Sequence, residues 1–164
     1  MKQFILSLLL SAGVAFTACT QTGEKKSEVA NININTIEKG QVIQMDKAMF
    51  IEKVFNYEKS PDKWVYLGSK PCIIDFYADW CGPCRKVSPI MAELAEKYKD
   101  DIVIYKINTD KEKELAGFFQ IRSIPSILYC PSTGQPTMTM GALPKAEFEK
   151  MVNEILLAKP VSSN

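Results

Sequence analysis

Cys72-Ile73-Ile74-Asp75-Phe76-Tyr77-Ala78-Asp79-Trp80-Cys81-Gly82-Pro83-Cys84-Arg85-Lys86 is the stretch on which the reading of this 164-residue chain turns. Residues 72–78 are apolar except for Asp75, the pattern of a central strand covered on both faces. From Cys84 the pattern changes: Val87, Met91, Leu94, Ala95 and Tyr98 recur at helical spacing, with Pro89 inside the run as an expected kink. A buried strand therefore runs straight into a helix, and two cysteines flank the junction.

That junction has chemical consequences. Cys81 falls at a helix N-terminus, where unpaired backbone N–H groups and the positive end of the dipole favour an anion. Its thiol is expected to ionise more readily than a free cysteine, and the thiolate is the attacking species. Cys84 lies one helical turn further on, within reach of Cys81, so the pair can close a disulfide and reopen it by exchange. Pro83 is tolerated because the first turn has no internal partner for its missing N–H. A structural zinc site would need four ligands. There is one C-x-x-C pair, Cys72 and Cys130 stand apart, and histidine is absent. A purely structural disulfide across so short a loop would constrain the unfolded chain little.

Working outward, Val42–Met45 reads as a short strand and Asp46 as the N-cap of a helix carrying Ala48, Ile51, Val54 and Phe55. Ser60-Pro61-Asp62 breaks the chain, and Trp64–Leu67 precedes a turn at Gly68. After the cysteine pair and its helix come a strand at Ile102–Ile107, a short helix at Glu112–Phe119, and two strands, Ser126–Cys130 and Pro136–Met140. The turn-rich Pro131-Ser132-Thr133-Gly134 joins those last strands as a hairpin. Pro144 opens a final helix with Phe148, Met151, Val152, Ile155 and Leu156 on its apolar stripe. The order β-α-β-α-β-α-β-β-α predicts an α/β fold, a mixed sheet with helices on both faces.

Composition narrows the function classes. Apolar residues make up 46% and charged ones 24%, which excludes wholesale disorder. Twenty basic against nineteen acidic residues leave +1, no field for attracting nucleic acid. Without histidine there is no Ser-His or Cys-His nucleophile pair and no imidazole base.

The N-terminus reads as an export signal. Lys2 precedes an apolar run, Phe4–Phe16, too short for the ~20 residues of a membrane-spanning helix. Thr17-Ala18 then leads into Cys19, a pattern that resembles bacterial lipoprotein signals, in which the cysteine becomes the lipidated first residue. Phe16 departs from the aliphatic residue usual there; an ordinary cleaved signal is the other reading. Removal of residues 1–18 would take away Lys2 and leave formal neutrality. Residues 19–41 read as a flexible tether, with Asn31–Asn35 alternating as linker or short edge strand, residues 42–158 as the domain, and 159–164 as a tail.

Phe76–Lys86 resembles the active-site segment of the thioredoxin family, and the resemblance extends over about residues 42–157. It implies the thioredoxin fold, a three-layer α/β/α domain, and protein-disulfide chemistry without cofactor or metal. It further implies Cys81 as nucleophile and Cys84 as resolving thiol. Asp75 matches the family's buried aspartate, which exchanges a proton with Cys84, and Lys106 matches the lysine that tunes it. Burial should raise the Asp75 pKa and Lys106 should oppose that; a plain buried ion pair is the alternative. Trp80, Gly82, Pro83, Ile124, Pro125 and Gly141 fall at positions of the substrate-binding surface, with Ile124-Pro125 as the family's cis-proline and Pro89 as its helix-kinking proline. Tyr77 departs from the tryptophan often found at its position.

Antiparallel pairing of their two strands could place Cys130 near Cys72, at the start of the active-site strand, where a second disulfide is conceivable. The two cysteines read as reduced core thiols rather than a second disulfide, because free cysteine packs as a small apolar group. Gly-Pro between Cys81 and Cys84 resembles reducing members of the family, whereas strong oxidases more often carry His there. The expectation is therefore a disulfide reductase or isomerase of the bacterial envelope. It would be held to a membrane only through lipidated Cys19, and would take electrons from a membrane thiol donor and pass them to disulfide-containing envelope proteins. A disulfide oxidase, and a non-catalytic binding or chaperone module on the same scaffold, are the alternatives.

Overall fold

The structure, a computed structural model, describes residues 40–158. The export signal, Cys19, most of the tether and the C-terminal tail lie outside the described residues. Strands are β1 (Val42–Gln44), β2 (Cys72–Tyr77), β3 (Val103–Asn108), β4 (Ser126–Cys130) and β5 (Thr137–Met140). Helices are α1 (Lys47–Lys53), α2 (Gly82–Lys97), α3 (Lys113–Phe118) and α4 (Lys145–Met151), the last continuing as a π-helical turn over Val152–Leu156.

The sheet runs β1-β3-β2-β4-β5. β1, β3 and β2 are parallel, and β4 and β5 are added antiparallel, which makes it mixed. β2 is the middle strand, and all of its residues except Tyr77 are buried, as its unbroken apolar run requires. Alternation along β2 divides the interior in two. Ile73 faces a core built with Val87, Met91 and Leu94 of α2 and with Phe148, Val152 and Leu156. Cys72, Ile74 and Phe76 face the other core, with Phe50 of α1 and Leu115 of α3. Helices thus cover both faces, and the domain is α/β/α in section.

Local signals account for most boundaries. The Asp46 carboxylate accepts a 2.8 Å bond from the Met49 N–H, capping α1. Three ends differ from expectation. Pro144 is the extended residue before α4 rather than its first residue, since its ψ of 151° lies outside the helix. α1 stops at Lys53, two residues before Phe55, and the Phe55 N–H turns back to the Phe50 carbonyl. The final helix widens after Met151, so the apolar stripe reaches Leu156 on π geometry.

Between α1 and β2, residues 54–71 form neither helix nor strand. Trp64 and Tyr66 nonetheless pack inward, with Trp64 at 4.5 Å centroid distance from Phe55, while Val65 and Leu67 point outward. The Leu67 N–H donates to the Val54 carbonyl, tying the segment to the end of α1. The stretch thus enlarges the core on the α1/α3 side. Residues 131–136 connect β4 to β5 at the end of the sheet where β2 begins, with 132–135 exposed.

Candidate redox site

The site forms where β2 and β3 end and α2 begins, the edge at which parallel sheets usually present their ligand-binding groups. Cys81 is the N-cap of α2, Gly82 opens the helix, and Pro83 occupies its first turn. The Cys84 N–H points at Cys81 Sγ from 3.1 Å, so one of the orphan donors of the helix start is spent on the sulfur. Cys81 and Cys84 are joined, S–S 2.08 Å, and both are nearly covered, 3% and 2% exposed. Ala78, Tyr77 and Ile124 pack around them.

Ile124 and Pro125, far away in sequence, arrive from the start of β4. The Ile124–Pro125 bond is cis, and the Ile124 carbonyl oxygen lies 3.7 Å from Cys81 Sγ. Pro125 precedes the strand and so interrupts no ladder bond. Its carbonyl accepts a 2.8 Å bond from the Gly141 N–H, which fixes the loop after β5 beside it. Gly141 has φ +92°, a conformation that costs an L-residue about 1 kcal/mol. Gly141→Ala is expected to lower stability by about that amount, read as a reduced urea midpoint. No heavy atom lies within 4 Å of the added Cβ, so the loss would come from backbone strain. An unchanged midpoint would contradict it.

Trp80, in the connection between β2 and α2, is 69% exposed, and Met140, the last residue of β5, 66%. The indole N–H of Trp80 donates to Asp110 Oδ2 at 2.9 Å. Behind it the buried amide of Asn108 links both loops, donating to Asp79 Oδ2 at 3.2 Å and accepting from the Asp110 N–H at 3.0 Å. Sequence reasoning missed Asp79, Asn108 and Asp110 as supports of Trp80. Their one available signal was position, since Asn108 ends β3 at the edge where β2 delivers the cysteines.

Asp75 lies in β2 on the face covered by α2, and Lys106 is its register partner in β3. Asp75 is buried and its Oδ1 has no hydrogen-bond partner. Burial pushes its carboxyl up to about 7, against the downward pull of the Lys106 charge. The Lys106 ammonium sits over the Tyr77 ring, 5.5 Å from its centroid, and the Tyr77 hydroxyl donates to Gln44 Oε1 at 2.9 Å. Tyr77, which stands where tryptophan is common, thus gives the lysine a π face and β1 an anchor.

Among the described residues no three His, Cys, Asp or Glu side chains converge as metal ligands. Cys72 and Cys130 are register partners at the far end of β2 and β4, buried and present as thiols. The chemistry available at the α2 N-terminus is therefore that of a vicinal dithiol–disulfide couple beside the Ile124–Pro125 loop.

A mixed five-stranded sheet with a disulfide-forming C-x-x-C pair at its carboxyl edge defines a thiol-disulfide oxidoreductase. Comparison with known proteins agrees. The family model for thioredoxin matches residues 41–154. The chain is 40% identical over 112 residues to a thioredoxin of Borreliella burgdorferi, covering 68% of this chain and 95% of that protein. It is 32% identical over 158 residues to the chloroplastic M-type thioredoxin of Pisum sativum, covering 90% of this chain and 91% of the other. Among solved structures, chloroplastic thioredoxin z superposes with a TM-score of 0.59 at 25% identity, over 70% of this chain and 94% of that one. The chain belongs to the thioredoxin family.

Proposed function

We propose that the protein is a disulfide reductase or isomerase acting on proteins of the bacterial envelope, with Cys81 as nucleophile and Cys84 as resolving thiol. In the reduced form the Cys81 thiolate attacks a substrate disulfide. A mixed disulfide forms and one substrate sulfur leaves, taking up a proton. Cys84 then attacks Cys81 Sγ, the second substrate sulfur leaves, and the Cys81–Cys84 disulfide remains. Two electrons pass to the substrate in each cycle. Asp75 receives the proton Cys84 gives up, and Lys106 keeps that carboxyl from becoming more basic still.

The observation that carries this reading is the place of Cys81 Sγ. It accepts the Cys84 N–H at the start of α2, in a setting that favours thiolate, and it lies opposite the Ile124 carbonyl. A substrate chain laid along Ile124-Pro125 would bring its disulfide to that sulfur, with Trp80, Gly82, Pro83 and Gly141 forming the surrounding surface. Support for the reducing direction comes from Gly82-Pro83 between the cysteines, where no side chain adds a positive charge to favour the thiolate further.

Export and lipid anchoring at Cys19 rest on the charge and apolar run of residues 2–16 and on Thr17-Ala18-Cys19. Among the described residues no helix is long and apolar enough to cross a membrane. Outside the cytosol the electrons would come from a membrane protein that passes them outward through thiols.

Equilibrating the purified chain with glutathione buffers tests the direction. The expected reduction potential lies near the roughly −270 mV of reducing thioredoxins; a value near the ~−120 mV of a strong thiol oxidase would overturn the reductase assignment.

A further inference from the structure

We propose that Cys72 and Cys130 form a second, non-catalytic disulfide that cross-links β2 to β4, made when the chain folds in the presence of a low-molecular-weight disulfide. The two residues are direct register partners on antiparallel strands, so their side chains leave the same face of the sheet. Partners of this kind have Cα atoms about 4.5 or 5.5 Å apart, and both spacings lie inside the ~4.4–6.8 Å range that a disulfide spans. Both side chains belong to the same core cluster. Bond formation therefore needs side-chain rotation and no displacement of either strand.

The surroundings explain why this pair would not turn over. Both cysteines are fully buried, and Tyr105 and Tyr66 pack in the same core cluster. The Tyr66 hydroxyl is itself tied to the Lys70 carbonyl. A sulfur under this cover presents no face to an attacking thiolate, and the interior gives no help to ionisation. Cys81 and Cys84, in contrast, lie beyond the opposite end of β2. The chain would thus carry one couple built to exchange and another sealed against exchange.

The chemistry balances through the oxidant. While the strands are unpaired, the thiolate of one cysteine attacks the small disulfide, forming a mixed disulfide and releasing one small thiol. The thiolate of the other cysteine then attacks the protein sulfur and expels the second small thiol. The chain loses two protons and two electrons, and the small disulfide becomes two thiols.

The test uses the full chain and its Cys81→Ser/Cys84→Ser variant. Each is reduced, unfolded and refolded in glutathione buffers from fully reducing to fully oxidising, so burial does not limit access. Free thiols are then blocked under denaturing conditions and the peptides mapped by mass. The expected result is a linked Cys72–Cys130 peptide at the oxidising end, with Cys19 still alkylated. The urea midpoint should rise, and dithiothreitol should abolish the rise only when added to unfolded protein. Cys72 and Cys130 alkylated, bound to glutathione or linked to Cys19 across the whole series would overturn the proposal. So would a link that dithiothreitol removes from the folded chain as fast as it reduces Cys81–Cys84. Should the variant not fold, the wild-type peptides decide, because the two linked pairs differ in mass.

Discussion

Replacing Cys81 by serine is expected to cut protein-disulfide reduction by on the order of 10³-fold or more, because the attacking atom is lost and no other group can take its place. Cys84→Ser should fail differently. Its first step survives, so the variant should accumulate as a mixed disulfide with substrate, visible as a higher-mass band on a non-reducing gel. The double variant should form no such band. Burial does not separate the two sulfurs, since Cys81 and Cys84 are 3% and 2% exposed. What separates them is that Cys81 is the cap and receives the Cys84 N–H, while Cys84 lies inside the helix. Substrate trapped on Cys84 in the Cys81→Ser variant would reverse the assignment, and full turnover without Cys81 would remove it.

Asp75→Asn should stabilise the folded chain by about 4 kcal/mol at pH 9 and by almost nothing at pH 3. The sign follows from which state holds the proton. In the folded chain the carboxyl is pushed up to about 7, while an ordinary aspartate sits at 3.8. Between those values the folded state keeps a proton that the unfolded state has released. Wild-type stability should therefore fall as pH rises from about 4 to 7 and then level off, and the variant should lack that fall. Urea denaturation from pH 3 to 9 measures it. Parallel curves for the two proteins would mean that Asp75 is solvated or paired. The variant should also reduce disulfides more slowly, because Cys84 would have lost the group that accepts its proton.

Much of the fold was legible because its signals are local. The apolar run of Cys72–Tyr77, the cap at Asp46 and the helical stripe from Val87 to Tyr98 each needed only neighbouring residues. The order of elements followed from them, whereas the register that sets Cys72 opposite Cys130 came from the structure. The bend of the chain after Lys53 and the π turn after Met151 were not legible. Helical spacing persists through both, and the departures answer to packing against distant strands. Within the site, the placement of Cys81 and Cys84 at a helix start came from the residues, while Trp80, Gly82 and Pro83 as binding surface, Ile124-Pro125, Gly141 and the pairing of Asp75 with Lys106 rested on resemblance. The brace of Asp79, Asn108 and Asp110 behind Trp80 left no trace in spacing. Its hydrogen bonds join residues about thirty positions apart, and polar residues after a strand ordinarily read as loop.

The six residues between β4 and β5 make the domain a candidate carrier for foreign peptides. They lie at the end of the sheet remote from the α2 N-terminus, and no side chain crowds Gly134, where φ is +93°. An epitope or affinity tag grafted at Ser132–Gln135 would stand on a rigid two-strand stem and leave the sulfur chemistry free to report that the host still folds. The same molecule would then serve as display platform and as its own folding assay.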